Sequence, residues 1–500
     1  MQLIRYRSII SEWDRFQDTI RRRDPTTLRV RTGRISRGDI AERLRAQGFT
    51  LESVEGLPDF LRVLGGPHSV ADTVENWLGL FYIQQASTGV VAPALGARPG
   101  ERILDLCAAP GGKTTHTADL MEDDGCIVAV DRNESRIRAL LGNLYRTAHP
   151  NVLVVSGDSR SFPGGALFDR VLVDAPCSAE GTLRRKGGQL REQPAKFRNR
   201  VPRRQEALLR RAVALTRPGG VILYSTCTFA PEENEAVVDR VLSTEDVVLE
   251  PIDLKAPHAP GLTRFEGQTY DTQMEGACRI YPHHLDSGGL FMARLRRIGG
   301  GLSENAKEMP GWTTIPTVFP DGRNEPEEVA QTIGESIERL KEHFGVGPRA
   351  LKDFQWMARG RDLWVHRCGT WPLDSWDESD RWRVVAVGLR AMTPDYRDRP
   401  RPTNHLLRLL ENAVMSKLVA LSTHQWAELL AGEDVAVPGV ESGFVPLGLS
   451  RDQVAGRGLV RGGRVRYEIP KVQARWLQKI LELRSEGPSS KDVRGDGSGE

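Results

Sequence analysis

Cysteine is scarce in this chain of 500 residues, and the gaps in its pattern exclude several classes of protein. Six cysteines are too few for a disulfide scaffold of this length, and none forms a C-x-x-C pair, so no metal site is expected. No apolar run approaches the roughly 18–20 residues that span a bilayer. The N-terminus mixes Arg, Glu and Asp among its apolar residues, unlike a secretory signal. We therefore expect a cytoplasmic, reduced protein without a membrane partner.

The chain also has no large net charge, and it is longer than a chain that folds around one hydrophobic core. Lys and Arg total 69 against 66 Asp and Glu, so the net charge of +3 says little about partners. A chain of 500 residues predicts two or three domains. The pattern predicts a small α+β domain over 1–98, an α/β core over 99–297, a linker and helix over 298–345, a β-rich region over 346–483 and a disordered tail over 484–500.

Short strands alternate with helices from residue 99 onward, which predicts a parallel, doubly wound sheet buried on both faces. GGLFMARLRR at 288–297 is predicted to add a final edge strand. Ligands of such sheets bind beyond the carboxyl ends of the strands. The parallel strands are predicted at ERILDL, CIVAVD, NVLVVSGD, FDRVLVD and GVILYST.

The glycine-rich turn LDLCAAPGGKTTH permits two interpretations. A phosphate-binding loop needs a glycine five residues before Gly112, and Cys107 occupies that position. An S-adenosylmethionine turn needs acids at successive strand ends, and Asp131 and Asp158 follow the next two strands. Each lone Asp is as easily a helix cap, but the series next to a glycine turn favours S-adenosylmethionine over a nucleotide hydrolase.

Two cysteines follow predicted strands at this ligand-binding end: Cys177 in VDAPCSAEG and Cys227 in YSTCTFAPEEN. A thiolate that adds to carbon 6 of cytosine activates carbon 5 for methyl transfer, which is covalent catalysis. Asp174 is placed to supply the acid for the ring nitrogen. The residues alone do not say which thiol attacks. The other four cysteines are expected to be small buried hydrophobes: Cys107, Cys126, Cys278 and Cys368.

Four stretches closely resemble the Sun (NSUN-like) family of RNA cytosine-5 methyltransferases: DLCAAPGGKTTH, VDAPCSAEGTLRR, YSTCTFAPEENEAVV and CRIYPHHLDSGGLFMARL. The resemblance runs from about residue 27, through FYIQQAS at 81–87, to 297, with the motifs in the family's order. It implies a Rossmann-like class I methyltransferase core, S-adenosyl-L-methionine as cofactor and an RNA substrate. Residues 1–98 would then be an RNA-contact domain.

The resemblance also assigns roles to individual residues. The thiol of the Thr-Cys motif, Cys227, attacks the base, and the thiol of the Pro-Cys motif, Cys177, helps to release the product. Asp131 replaces the Glu of many members, and both accept hydrogen bonds from ribose. The implied cofactor contacts are Cys107, Ala108, Ala109, Pro110, Gly111, Gly112, Lys113, Asp131, Arg136, Asp158 and Asp174.

Three further features concern how RNA is held. Segment 184–211 contains 11 Lys and Arg against two Glu, which suits phosphate contacts more than a solvated helix face. The tryptophans at 356, 364, 371, 376 and 382 fit a β-rich core better than a base-stacking surface. The C-terminal region resembles that of bacterial ribosomal-RNA members, which implies a PUA-like fold. Its candidate backbone contacts are Arg457, Arg461, Arg464 and Lys471.

The sequence thus predicts a monomeric RNA cytosine-5 methyltransferase that acts on ribosomal RNA or a ribosomal subunit. Transfer RNA is the second candidate substrate. A non-catalytic RNA-binding assembly factor on the same fold is an alternative of a different class, and the retention of Asp174, Cys177 and Cys227 argues against it.

Overall fold

A computed structural model describes most of the chain. The described residues are 2–165, 167–186, 195–299, 311–319, 326–372, 382–396, 399–450, 453–468 and 471–485. Residues 300–310 of the predicted linker, residues 187–194 of the basic segment and Trp376 lie outside them, as do residues 486–500 of the tail predicted to be disordered over 484–500. The first two residues of that tail instead end the helix Lys471–Ser485.

The centre of the described chain is one ten-stranded sheet, with five parallel strands in its middle. We number these five in chain order, and their spatial order is 3-2-1-4-5. This confirms the predicted doubly wound core, in which the strand order reverses between the first and fourth strands. The first to fifth parallel strands are Arg102–Asp105, Cys126–Asp131, Val152–Ser156, Phe168–Asp174 and Thr216–Thr226.

The edges of this sheet differ from the prediction. Leu290–Arg297 was predicted as the edge strand, but it is an interior strand, because Thr216–Thr226 pairs with it on one side and Cys278–Ile280 on the other. Val247–Glu250 also pairs with it, and Ala259–Pro260 is the outermost strand. At the opposite edge, Arg383–Val387 pairs antiparallel with the third strand. That strand comes from beyond the predicted 99–297 core.

Helices cover both faces of the sheet, and the first turns of two of them shape the site. Asn133 caps the helix Glu134–Thr147 by accepting hydrogen bonds from the backbone N–H groups of Ser135 and Arg136. Val90, Val91 and Leu95 are fully buried against the sheet, so core packing begins before residue 99. The flanking helices are Ala86–Gly89, Val91–Leu95, Gly112–Leu120, Glu134–Thr147, Ala195–Leu215, Glu235–Leu242 and Pro282–Leu285.

The N-terminal part packs against both the core and the C-terminal part. Its antiparallel sheet consists of Thr27–Val30, Thr50–Val54, Leu57–Gly65 and Phe81–Ile83. Its helices are Trp13–Arg21, Arg37–Ala46 and Val74–Trp77. Phe81 and Trp426 are fully buried in one hydrophobic cluster, and the rings of Trp77 and Trp476 meet edge to face at 4.9 Å. The two ends of the chain therefore share a core.

Two small sheets dominate the C-terminal part. One contains Gln355–Arg359, Asp362–His366, Leu389–Tyr396 and Arg399–Pro402. The other contains Val419–Ala420, Val435–Ala436, Gly443–Ser450, Gln453–Arg461 and Arg464–Tyr467. The helices are Pro326–Phe344, Pro348–Leu351, Asn404–Leu409, Glu411–Val414, Thr423–Ala431 and Lys471–Ser485.

The described members of the tryptophan cluster are packed inside the protein. Trp356, Trp364 and Trp371 are buried, which confirms the core interpretation for these three. Trp382 packs edge to face on Phe162 at 5.4 Å beside the third parallel strand. In the described part of the chain, every helix is either too short or too polar to span a bilayer.

Candidate active site

The predicted site residues converge where the strand order reverses. The first and fourth parallel strands are neighbours and end at Asp105 and Asp174. The fourth and fifth strands also pair, with Asp174 opposite Ser225. Their following loops carry Cys177 and Cys227, so the two thiols meet at the carboxyl edge of the sheet, where ligands of this fold class bind.

The glycine-rich turn crosses this edge and leads into the helix Gly112–Leu120. Gly111 adopts a left-handed conformation (φ 105°), and a β-carbon there would lie 2.7 Å from Leu140 Cδ1. The Asn143 side chain donates to the Pro110 carbonyl at 3.0 Å, and Arg136 donates to the Ala109 carbonyl. The turn is therefore fixed by the helix that follows the second strand, and its backbone borders open space.

Asp131, the predicted ribose ligand, ends the second strand. Its carboxylate is 4% exposed, and Oδ1 accepts from the Asn133 backbone N–H at 2.9 Å. Oδ2 lies 3.2 Å from Arg136 Nη1 but accepts no hydrogen bond from the described residues. A buried acceptor without a donor is costly, so a ligand hydroxyl would satisfy it. The residues present thus fit S-adenosylmethionine at this turn.

The other strand-end acids are held differently. Asp105 is buried and accepts from Thr114 Oγ1 at 2.8 Å, and burial raises its pKa to about 7. Asp158 follows the third strand and accepts from the Arg160 Nε–H at 3.0 Å. That hydrogen bond, with others from Arg160, lowers the pKa of Asp158 to about 2. The Asp158 carboxylate already has a cationic partner, so its contact with adenine stays a prediction.

The two thiols form a pair with opposite acidities. The Sγ atoms of Cys177 and Cys227 lie 3.3 Å apart. The hydrogen bond from Cys177 lowers the pKa of Cys227, and Lys113 acts in the same direction. The same hydrogen bond and burial raise the pKa of Cys177. The local electrostatics therefore favour Cys227 as the thiolate and Cys177 as its S–H donor.

Asp174 is bound on both of its oxygens beside this pair. Lys113 Nζ donates to Oδ2 at 2.6 Å, and Ser225 Oγ donates to Oδ1 at 3.0 Å. Although burial opposes the charge on Lys113, Asp174 raises its pKa. The sequence placed Lys113 in the cofactor turn and did not predict this ion pair. The pair provides a proton and a negative charge at one position of the cavity wall.

A buried network that the sequence analysis missed fixes the two cysteine loops to each other. Glu233 accepts from the Ser178 backbone N–H at 2.9 Å and from the Gln205 side chain at 3.0 Å. Gln205 also donates to the Pro176 carbonyl at 3.0 Å, and the hydroxyls of Ser178 and Thr228 lie 2.7 Å apart. Glu233 belongs to the PEEN stretch after Cys227, and this acidic stretch was the feature of the sequence that could have pointed to the network.

A cavity of about 190 Å³ opens in front of the turn. The turn and Asp174 line one side of it, and Tyr82, Gln84 and Gln85 line the other. These three come from FYIQQAS, the end of the N-terminal sheet. The N-terminal part therefore forms a wall of the site.

In the described portion of the basic segment 184–211, some arginines bind groups within the protein. Arg210 binds Glu206 and Glu245, and Arg211 donates to the Phe162 carbonyl. Arg204 lies among other cations, and burial together with repulsion by Arg132, Arg160 and Arg200 lowers its pKa.

The four C-terminal residues predicted to contact the RNA backbone have different surroundings. Arg457 lies 3.6 Å from Glu468, Arg464 donates to the Asp434 carbonyl, and Arg461 is exposed. The Lys471 side chain lies outside the described residues.

Comparison with known proteins identifies the family. A profile of the family described as "16S rRNA methyltransferase RsmB/F" matches residues 92–296. A ribosomal RNA small subunit methyltransferase F of Erwinia tasmaniensis is 32% identical over 374 residues, or 73% of this chain and 72% of that protein. The chain belongs to the RsmB/F family. This confirms the resemblance to RNA cytosine-5 methyltransferases that the motifs indicated.

Further relatives are longer or are matched over less of this chain. A human 28S rRNA (cytosine(4447)-C(5))-methyltransferase is 32% identical over 355 residues, which cover 68% of this chain. The chain spans 43% of that protein's length. A crystal structure of a methyltransferase homologue from Pyrococcus horikoshii, 33% identical, superposes with a TM-score of 0.51 over 57% of this chain and 90% of that one. These matches support a Rossmann-like class I methyltransferase fold.

Proposed function

We propose that this protein is an S-adenosylmethionine-dependent RNA cytosine-5 methyltransferase that acts through a covalent bond between Cys227 and the target base. The observation that carries the proposal is the thiol pair. Two sulfur atoms lie 3.3 Å apart, with the pKa of Cys227 lowered and that of Cys177 raised, in a site that also contains the Lys113–Asp174 ion pair and the glycine turn.

The residues suit each step of the reaction. The Cys227 thiolate adds to carbon 6 of cytosine and moves electron density toward carbon 5. Asp174 transfers to nitrogen 3 of the ring a proton that it takes from Lys113, whose Nζ lies 2.6 Å away and which is left neutral. After methyl transfer, a base takes the proton from carbon 5, and the electrons of that C–H bond form the ring double bond and expel the Cys227 thiolate from carbon 6. Cys177, which stays protonated beside Cys227, assists this release.

The cofactor assignment depends on the turn and Asp131. Cys107–Pro110, Gly112 and Lys113 line the ligand cavity, and we assign the ribose hydroxyls to Asp131 Oδ2, which accepts no hydrogen bond from the described residues. S-adenosylmethionine supplies an electrophilic methyl group when it is bound there. Arg136 fixes Asp131 and the Ala109 carbonyl at the same time.

Ribosomal RNA is the preferred substrate, because the relatives in bacteria and in humans carry names of ribosomal RNA methyltransferases. We assign the C-terminal part a PUA-like RNA-binding role and keep transfer RNA as the second substrate. The reaction needs reduced thiols, and two sulfurs this close would be prone to form a disulfide in an oxidising compartment, which favours the cytoplasm.

Methylation assays on variants in which one cysteine is replaced test the proposal. The wild type should form 5-methylcytosine in ribosomal RNA, and Cys227→Ala should abolish it. Cys177→Ala should leave RNA covalently attached to the protein, since attack proceeds and release fails. Cys126→Ala serves as the control, because Cys126 is buried in the second strand. Methylation of cytosine by Cys227→Ala would refute the proposal, and transfer RNA assayed in parallel decides the substrate.

A further inference from the structure

A second, larger cavity lies beside the proposed active site, and the reaction does not use it. This groove has a volume of about 760 Å³. Three parts of the chain form it: the end of the N-terminal sheet, one face of the helix Glu134–Thr147 and the C-terminal part. Its lining includes Trp77, Tyr145 and Trp476. The volume is in the range of pockets that enclose one small ligand or a short piece of a polymer, and is too small for a duplex.

The groove adjoins the active-site cavity. Tyr82 and Ile83 line both spaces. Asn143 lies in the wall between them, since its side chain donates to the Tyr82 hydroxyl at 3.1 Å and to the Pro110 carbonyl at 3.0 Å. A polymer with one unit in the active-site cavity would therefore place its next units in the groove.

The groove carries excess positive charge. Four arginines line it, Arg146, Arg390, Arg408 and Arg457, against the single carboxylate of Glu468. Arg457 lies 3.6 Å from Glu468, and Arg390 lies 3.5 Å from Asp362. Arg146 and Arg408 make no ion pair with any described residue.

The hydrogen bonds of these two guanidinium groups go to neutral oxygens. Arg146 donates to the carbonyls of Asn76 and Phe81, both at 3.0 Å. Arg408 is 7% exposed and donates to the Ala455 carbonyl at 3.0 Å, while its Nε has no hydrogen-bond partner among the described residues. Burial lowers the pKa of each to about 10, although attraction to Glu411 partly offsets this for Arg408. Buried charge of this kind is stabilised by an anionic ligand.

The cavity on the other side of the active site provides a contrast. Its arginines are Arg23, which is exposed, and Arg184 and Arg185, which are both close to carboxylates. Arg184 lies 2.8 Å from Asp286, and Arg185 lies 3.5 Å from Asp24. Those cations have their counter-ions within the protein. The groove instead presents a buried guanidinium group, Arg408, and a half-buried one, Arg146, neither of which has an ion pair with the described residues.

We propose that the groove binds the single-stranded RNA next to the target cytidine, with backbone phosphates at Arg146 and Arg408. This inference rests on the proposed function and adds the position of the flanking strand. The aromatic side chains suit unpaired bases, and the target base must be unpaired to reach Cys227. Phosphate contacts of this kind set the position of the RNA without reading its sequence.

Gly142 allows a test that removes no contact. It lies on the groove face of the helix, is exposed, and a β-carbon there would meet no atom within 4 Å. Gly142→Glu adds a negative charge to the groove, and Gly142→Gln adds the same volume without charge. Both replace a mid-helix glycine and should stabilise the helix equally.

Fluorescence anisotropy with a labelled single-stranded oligocytidine RNA, titrated at several KCl concentrations, is the measurement. We expect Gly142→Glu to bind about tenfold more weakly than Gly142→Gln. Its plot of log affinity against log salt should be less steep by about 0.7, the value for one neutralised charge on a single strand. Gly142→Gln should bind like the wild type, and all three proteins should have the same S-adenosylmethionine affinity.

Equal RNA affinity of the two variants would overturn the groove proposal, as would equal weakening of both, because neither result depends on charge. A methylation assay of the wild type on ribosomal RNA, run beside the titration, separates the two proposals, because methylation there shows that the proposed function stands. A wild type that neither binds nor methylates RNA would instead refute the proposed function.

Photocrosslinking provides an independent test. With 4-thiouridine beside the target cytidine, crosslinked peptides should map to 134–147 or 404–408. Crosslinks confined to 195–215 would also contradict the groove proposal.

Discussion

The pairing of the two thiols predicts that Cys177 controls the acidity of Cys227. Removing the S–H donor with Cys177→Ala should raise the pKa of Cys227, because that hydrogen bond is the largest influence lowering it. Hydrogen bonds to charged groups contribute about 1.5–3 kcal/mol, and S–H is a weak donor, so we take the lower value. At 1.36 kcal/mol per pH unit, the titration midpoint of Cys227 should move up by about one. Below that midpoint, the thiolate fraction falls about tenfold.

Alkylation by iodoacetamide across pH, followed by peptide mass spectrometry of the Cys227 peptide, measures this midpoint. Cys177→Ser is the matched control, since its hydroxyl retains a donor, and it should keep most of the wild-type acidity. In Cys177→Ala, formation of the covalent RNA complex should accelerate as the pH rises. An unchanged midpoint in Cys177→Ala would refute the view that the 3.3 Å contact activates Cys227.

Two further predictions concern the packing and charge of the site. Gly181→Ala would place a β-carbon 2.6 Å from the Gly289 carbonyl and 2.9 Å from the Cys227 carbonyl, so it should cost about 1–3 kcal/mol of unfolding free energy and lower kcat. Chemical denaturation and methylation kinetics check this, with Gly142→Ala, which meets open space, as the control. Burial raises the pKa of Asp105 from 3.8 to about 7, so its neutral form contributes stability that is lost as the pH rises from about 4 through 7. Asp105→Asn should flatten the decline of the melting temperature over that range, and an unchanged decline would contradict the assignment.

The sequence predicted the position of the site well because strand ends follow from local pattern. Short apolar runs ending at Asp105, Asp131 and Asp174 placed these carboxylates at one edge of a parallel sheet, and the structure has them there. Two cysteines that follow neighbouring strands met for the same reason. Resemblance was still needed to assign their separate roles.

Contacts between distant segments were not predictable in this way. The strand Arg383–Val387 joins the core sheet from about 230 residues away, and an apolar run does not reveal its partner. Leu290–Arg297 is interior because the short strands Val247–Glu250 and Cys278–Ile280 pair with it. Strands this short leave no clear pattern in the sequence, so their pairing was not predicted. The Lys113–Asp174 pair and the Glu233 network depend on side-chain directions across loops.

The most direct test of the account is the identity of the residue that bonds to RNA. Cys177→Ala should be incubated with ribosomal RNA and S-adenosylmethionine, digested with nuclease and protease, and mapped by mass spectrometry. The account predicts a peptide containing Cys227 that carries a methylated cytidine nucleotide. A nucleotide on any other residue, or none where the wild type methylates cytosine, would contradict it.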